Sequence, residues 1–489
     1  MSICNPYLPL TEYVPDAEPH VFGNRVYIYG SHDKEQGDRF CMEDYVVYSA
    51  DVNDLSNWTC HGVSYKKSQD PRSTKENQVD YYAPDCVRGN DGKYYLYYFA
   101  AGPNTNAFGP MSVAVGERPE GPFSYIGDIQ YHDGSPVLDF LTNDPAVIND
   151  DGRIWLYYGW GLGRDFRNPI MSPIYNSVLK KIGNRSYEEI KNTKPSILSC
   201  AVVELEDDMI TVKGKPKAVL DSKTTASRDS MLYHHAFYEA ASIRKIRGLY
   251  YLVYSSGENN ELCYATSKYP DRDFTYGGVI ISGSDLGYKG NTKRKAPAGT
   301  IHGGIECING QYYIFYHRCT NDTDFSRQAC AEPIEILEDG SIPQVGITTQ
   351  GLNGAPLKAQ GAFPAAICCY LYNDDTKNVQ GVNPKRKQPV VTATDGEMYV
   401  TAVTDRTKIG YRNFIGMGSK TLKLSIRGDE GRILVYSEEE GKLLGETKII
   451  ASKEWQIIEI NHELPMEESM LLLEYRGSGT IDLKEVYFL

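Results

Sequence analysis

Three carboxyl groups stand in short, comparable contexts along the chain. They are Asp16 in Pro15-Asp16-Ala17-Glu18-Pro19-His20, Asp144 in Asn143-Asp144-Pro145-Ala146-Val147-Ile148, and Glu239 in Tyr238-Glu239-Ala240-Ala241. Paired carboxyls do acid–base work. One that stays ionised takes a proton from water, and one kept protonated by burial or by a like-charged neighbour gives a proton to a leaving oxygen. This division of labour breaks a glycosidic bond, and a gap of ~6.5–9.5 Å between base and acid leaves room for the water and inverts the anomeric centre. Asp16, Asp144 and Glu239 can fill these parts only if the fold gathers them.

A repeat supplies the means. Gly92-Lys93-Tyr94-Tyr95-Leu96-Tyr97-Tyr98 is echoed by the segments starting at Gly152, Gly248 and Gly310, and, in a slightly different phase, at Gly23. Each reads as a turn followed by an aromatic strand, and each follows another short strand, giving five hairpins of one kind. Asp16, Asp85, Asp144, Glu239 and His302 precede the repeat glycines by seven to nine positions. Such a period predicts a five-bladed β-propeller, in which the innermost strands start near one axis and equivalent residues converge on one pocket. Asp85 is expected to hold a loop. After about Pro343 the repeat stops. The expected organisation is a propeller over residues 1–345, a Gly/Pro/Ala-rich linker over 346–364, and a smaller β-sandwich (jelly-roll) over 365–489. The class is all-β, with one short helix expected at Ser186–Lys194. The lysine clusters 293–295 and 385–387 are expected to be solvated loops.

Composition narrows the function. The net charge of −13 repels phosphate backbones, so nucleic acid is not an expected partner. No apolar run approaches the ~18 residues of a membrane helix. The beginning of the chain lacks a basic stretch followed by an apolar one, so no secretory signal is read. Eleven scattered cysteines, with no C-x-x-C pair, suggest reduced thiols and a cytoplasmic protein. Tyrosine numbers 38 against 14 Phe and 4 Trp, and its flat face with a polar tip suggests surfaces that suit sugars.

The blade motifs resemble those of family-43 glycoside hydrolases in order and spacing, over about residues 1–345. Asn5-Pro6-Tyr7-Leu8-Pro9 followed by Tyr29-Gly30-Ser31-His32-Asp33 resembles the branch of β-xylosidases and α-L-arabinofuranosidases. The resemblance implies an inverting exo-glycosidase acting on small xylo- or arabino-oligosaccharides. Asp16 would be the general base, Glu239 the general acid, and Asp144 the carboxylate that tunes and positions the acid. One departure stands out: the acid sits in Glu239-Ala240-Ala241 where a Glu-Gly-Pro or Glu-Ala-Pro context is common. No organic cofactor is implied, but a structural, mostly water-coordinated calcium or sodium ion beside His302 on the axis is. Arg327 resembles the arginine that reaches the sugar, and Tyr82 stands where relatives place an aromatic wall. Trp160, in Tyr158-Gly159-Trp160-Gly161, is a candidate sugar platform. The loops Asp33–Asp44 and Gly161–Lys181 are expected to form the rim, and a homo-oligomer is compatible with this reading.

The tail resembles a family-6-type carbohydrate-binding module. Ile409-Gly410-Tyr411-Arg412-Asn413-Phe414, Leu422–Gly428 and Gly479-Thr480-Ile481-Asp482-Leu483 carry that resemblance, with Tyr411 and Trp455 as candidate stacking residues. The tail is expected to brace the propeller or touch oligosaccharide. Two alternatives remain. One is a fructan or sucrose hydrolase on a related propeller, echoed by Asn143-Asp144-Pro145 and Glu306-Cys307. The other is a non-catalytic sugar-binding propeller.

Overall fold

The structure is a computed structural model. It describes residues 3–101, 109–161, 163–167, 170, 173, 174, 177, 180, 195–376, 388–394, 396–418 and 421–489. The helix expected at Ser186–Lys194, most of the Gly161–Lys181 rim and the lysines 385–387 lie outside these residues.

The chain is built chiefly of β-strands, with one turn of α-helix at Met231–His234. Five small antiparallel sheets come first, each a meander in chain order. Their opening hairpins are Glu18–Phe22 with Arg25–Tyr29, Asp80–Arg88 with Tyr94–Ala101, Ala146–Asp150 with Arg153–Tyr158, Glu239–Ile246 with Leu249–Ser255, and Ile305–Ile308 with Gln311–Cys319. The first four sheets have four strands and the fifth has three.

The repeat glycines explain the hairpins. Asp151-Gly152, Arg247-Gly248 and Asn309-Gly310 form two-residue turns in which both residues have positive φ, near 50° and then above 80°. That is the turn whose twist matches the strands it joins, and glycine takes its second position without a steric penalty.

Apolar layers lie between successive sheets. Tyr29 and Val47 of the first sheet meet Leu96 and Ala114 of the second. Second and third meet through Tyr97, Val113, Val147 and Leu156. Third and fourth meet through Tyr157, Val202, Ile243 and Leu252, and fourth and fifth through Val253, Tyr264, Ile314 and Cys330. The fifth sheet packs on the first through Phe315, Ala329, Val26 and Ile28, and a parallel bridge joins Ala17 to Gly303.

Most of the largest buried side chains are tyrosines of these layers. Their rings fill the space between sheets while the hydroxyls reach carbonyls at the edge, as Tyr97 does to Met209 O at 2.8 Å and Tyr254 to His235 O at 2.8 Å. The tyrosine excess is therefore chiefly a packing device and not the sugar-facing surface expected from composition.

Residues beyond about 356 form two further six-stranded sheets around one apolar core. The stretch 346–364 is not a free connector. Leu357–Lys358 pairs with Lys408–Ile415, and Gly361–Pro364 pairs with Ile481–Phe488. The two parts are bolted together. Arg412 donates to Ile347 O at 2.8 Å and Tyr370 to Asp285 at 2.5 Å. Lys295, expected in a solvated loop, is buried and pairs with Glu439 at 2.5 Å. The N-terminal segment closes the first part: the Asn5 amide donates to Ala331 O at 2.9 Å and Thr348 O at 3.1 Å.

Candidate active site

Four of the five first strands begin at or just after the expected polar residue, and in the second sheet Asp85 lies inside the strand Asp80–Arg88. Asp16 lies two residues before Glu18–Phe22, Asp144 two before Ala146–Asp150, Glu239 opens its strand, and His302 lies three before Ile305–Ile308. The side chains meet. Asp16, Tyr82, Asp144, Trp160, Glu239, His302 and Arg327 all line one pocket of about 280 Å³, with Phe40, Phe99, Asn143 and Tyr238 completing much of its wall. Asp85 does not line it. That residue is fully buried and stitches sheets together, bonding His20 Nε2 at 2.6 Å and accepting from Val147 N at 2.7 Å. Glu306 does not line it either; its carboxylate accepts from Val21 N at 3.3 Å.

The backbone is strained where the chemistry sits. Asp16 has φ 57° and Asp144 φ 45°, and Ala240, next to Glu239, has φ 65°. Non-glycine residues adopt this region at some cost, and such outliers persist where surrounding contacts hold them. Gly30 is one such contact: a Cβ there would sit 2.3 Å from Pro15 O, so only glycine lets the strand end press on the Asp16 turn.

Asp16 is buried but surrounded by donors. Ser31 Oγ donates to its Oδ2 at 2.6 Å and Arg327 Nη1 to its Oδ1 at 2.8 Å. Arg327 is held in turn by Asp33, through Nε at 2.8 Å and Nη2 at 3.0 Å. Burial alone would raise the Asp16 pKa, but Arg327 and the other positive neighbours outweigh it and bring it down to about 2.

His317 fixes the main chain beneath Asp16. Its Nδ1 accepts from Asp16 N at 3.2 Å and its Nε2 donates to Thr300 O at 2.9 Å, which defines a neutral tautomer. Burial pushes its pKa down to about 3, in accord with that tautomer.

Glu239 is set the opposite way. Burial, and then the nearby Asp144 carboxylate, push its pKa up to about 8. Asp144 is also raised, chiefly by burial, and accepts from Ala240 N at 2.8 Å. Trp160 Nε1 donates to Glu239 Oε2 at 2.9 Å, so the indole expected as a sugar platform holds the carboxyl in place. Arg327 is buried, and a solvent-exposed role is thereby excluded.

His302 stands among carboxylates, with Nδ1 3.8 Å from Asp144 and 4.0 Å from Asp16, and Nε2 3.7 Å from Glu18 Oε1. Burial opposes its charge, but Glu18, Asp144 and Asp16 together raise its pKa to about 9. For the implied calcium or sodium ion, His302 Nε2 and Glu18 Oε1 are buried without hydrogen-bond partners, and because hard cations need several oxygens, water would have to supply most of the ligands. Two groups of three clustered ligand types exist among the described residues, His235–Glu261–Cys263 and Glu18–His20–Asp85, and His302 belongs to neither.

Sequence reasoning missed Ser31, Asp33, Phe40, Glu18 and His317. Ser31 and Asp33 lie in Tyr29-Gly30-Ser31-His32-Asp33, a motif that carried a resemblance but no role. A base held near 2 and an acid held near 8, facing one pocket, are the equipment of a glycoside hydrolase.

Comparison with known proteins agrees. Residues 5–199 match the model of glycosyl hydrolases family 43. A xylosidase/arabinosidase of Thermoclostridium stercorarium is 39% identical over 98% of this chain and 97% of its own. A β-xylosidase of Xylanibacter ruminicola is 30% identical over 69% of this chain and 98% of its own. Among solved structures, a β-xylosidase/α-arabinofuranosidase from a compost microbial metagenome, in complex with xylotriose and in a calcium-free form, aligns with a TM-score of 0.54. It is 27% identical and covers 71% of this chain and 98% of its own. The chain belongs to glycosyl hydrolase family 43.

Proposed function

We propose that the protein is an inverting exo-glycosidase that removes terminal xylose or arabinose units from small xylo- or arabino-oligosaccharides. The carrying observation is that Asp16, Asp144 and Glu239 line one pocket with opposed proton affinities. The relatives' names, and a GH43_1 enzyme from Xanthomonas citri complexed with xylose (26% identical, TM-score 0.53, covering 72% of this chain and 95% of its own), support the pentose substrate.

In this reading Asp16 takes a proton from a water whose oxygen bonds to the anomeric carbon. The bond to the leaving oxygen breaks as Glu239 gives that oxygen its proton. Asp144 keeps Glu239 protonated by like charge and, through Ala240, holds its loop. The His302 imidazolium and the Arg327 guanidinium spread positive charge along the Asp16 side, and both carry donors for sugar hydroxyls. Tyr82 and Phe40 form apolar wall. Glycoside hydrolases need no cofactor.

The five sheets are read as blades of a propeller over residues 1–345. The apolar layers between successive sheets, and between the fifth and the first, support this. The two later sheets, with their shared core, are read as a β-sandwich. All eleven cysteines are free, which supports a reducing compartment. A fructan-hydrolase reading is not favoured, because Glu306 lies away from the pocket.

The test is a panel of aryl β-D-xylosides and α-L-arabinofuranosides with NMR of the first-formed sugar. The expected first product has the opposite anomeric configuration to the substrate. Retained configuration would remove the inverting mechanism.

A further inference from the structure

The strand Val390–Thr394 lies at the edge of its sheet, paired on one side with Glu397–Val403. Carbonyls of alternate strand residues point the same way. On the outer edge, Val391 O accepts from Asn321 N at 2.8 Å and Ala393 O accepts from Gln36 Nε2 at 2.9 Å. Just before the strand, the buried Gln388 donates to Asp322 Oδ1 at 2.8 Å. An unpaired strand edge is ordinarily a liability. Here two loops of the first part cap it.

Those loops carry the pocket. Gln36 lies in a turn closed by Gly37 N to Lys34 O at 2.9 Å, and its own N–H donates to Ser326 Oγ at 2.9 Å. Four residues on, Phe40 lines the pocket, meets Phe325 edge-on at 4.7 Å, and lies beneath the Arg327 guanidinium at 4.8 Å. Asp33, at the start of the same loop, grips Arg327.

We propose that the C-terminal part acts as a brace on the active site: its edge strand Val390–Thr394 fixes the two loops that present Phe40 and Arg327, and so sets how tightly the terminal sugar is held. Gln36 is then a positioning residue that never touches substrate. The brace rests on reading the pocket as the active site. That reading is tested separately by loss of turnover in Asp16→Asn, whereas the brace is read in KM.

The experiment measures KM, kcat and Tm on an aryl glycoside and on an unsubstituted disaccharide, using the full chain. Gln36 is exposed, so Gln36→Ala folds, and losing one neutral hydrogen bond is expected to raise KM about three- to tenfold with kcat within about twofold. Gln36→Glu keeps the size but cannot donate to a carbonyl, so it is expected to raise KM at least as much. Arg412→Met loosens the junction at Ile347, away from the pocket, and is expected to lower Tm while leaving KM unchanged. Unchanged KM in both Gln36 variants, or equal KM shifts in Gln36→Ala and Arg412→Met, would overturn the brace.

Discussion

Where the five small sheets begin their first strands, Asp16, Asp144, His302 and Arg327 are buried together and Glu239 faces them. Between the two six-stranded sheets the core is apolar, and past residue 365 Glu474 is the one buried charged side chain among the described residues. Both parts are strands and turns made by the same local rules. They differ in what their strand ends meet: in the first part, ends from distant sheets face one another and concentrate charge, while in the second the faces meet and exclude it. Buried charge must be matched or it costs heavily, so a cluster of this kind marks a working site.

That contrast can be broken by substitution, the largest effects being expected on the first side. Asp16→Asn removes the carboxyl held ionised by Arg327 and Ser31 and is expected to cut kcat by about 10³-fold or more on every substrate, activated or not. Glu239→Gln is expected to lose about 10²–10⁴-fold on unactivated disaccharides and far less on aryl glycosides with good leaving groups. Equal loss on both, measured side by side, would take Glu239 out of the proton-donor role.

Asp144→Asn sharpens the comparison through pH. The wild-type activity is expected to fall as Glu239 loses its proton near pH 8. Removing the neighbouring negative charge makes Glu239 easier to ionise, so the basic limb of kcat/KM should move to lower pH by about a unit. A limb that stays put would mean that burial alone sets the acid.

The smallest effects are expected in the second part. Tyr411→Phe deletes a hydroxyl that donates to Ala365 O at 3.0 Å and should cost about 0.5–1.5 kcal/mol in denaturant unfolding with kcat/KM unchanged. Trp455→Ala should leave kcat/KM within about twofold. Its ring is already covered by Arg427 at 4.4 Å, and its Nε1 donates to Glu397 at 3.2 Å.

The hairpins were legible because their turns are local chemistry: Asp151-Gly152 and Asn309-Gly310 need no distant partner to bend. Asp16, Asp144, Glu239 and His302 were legible because a periodic hairpin carries its flanking residues along in register, whereas Arg327 came only from the family resemblance. Trp160 lines the pocket, and its hydrogen bond to Glu239 was not legible, since a stacking indole and a donating one look alike in a sequence. His317, which lies 301 positions from the Asp16 amide it accepts from, sits in an aromatic run with nothing to distinguish it from a packed residue. Tyr411, a candidate for either sugar stacking or the core, is core, because a strand's alternation does not say which face is solvent until the partner sheet is known.

The Asn5 side chain reaches Ala331 and Thr348, and the fifth sheet packs on the first. A nascent chain therefore carries Asp16 long before Arg327, Ala331 and Thr348 have been translated, so during synthesis the acids stay scattered until the fifth sheet arrives to hold the first.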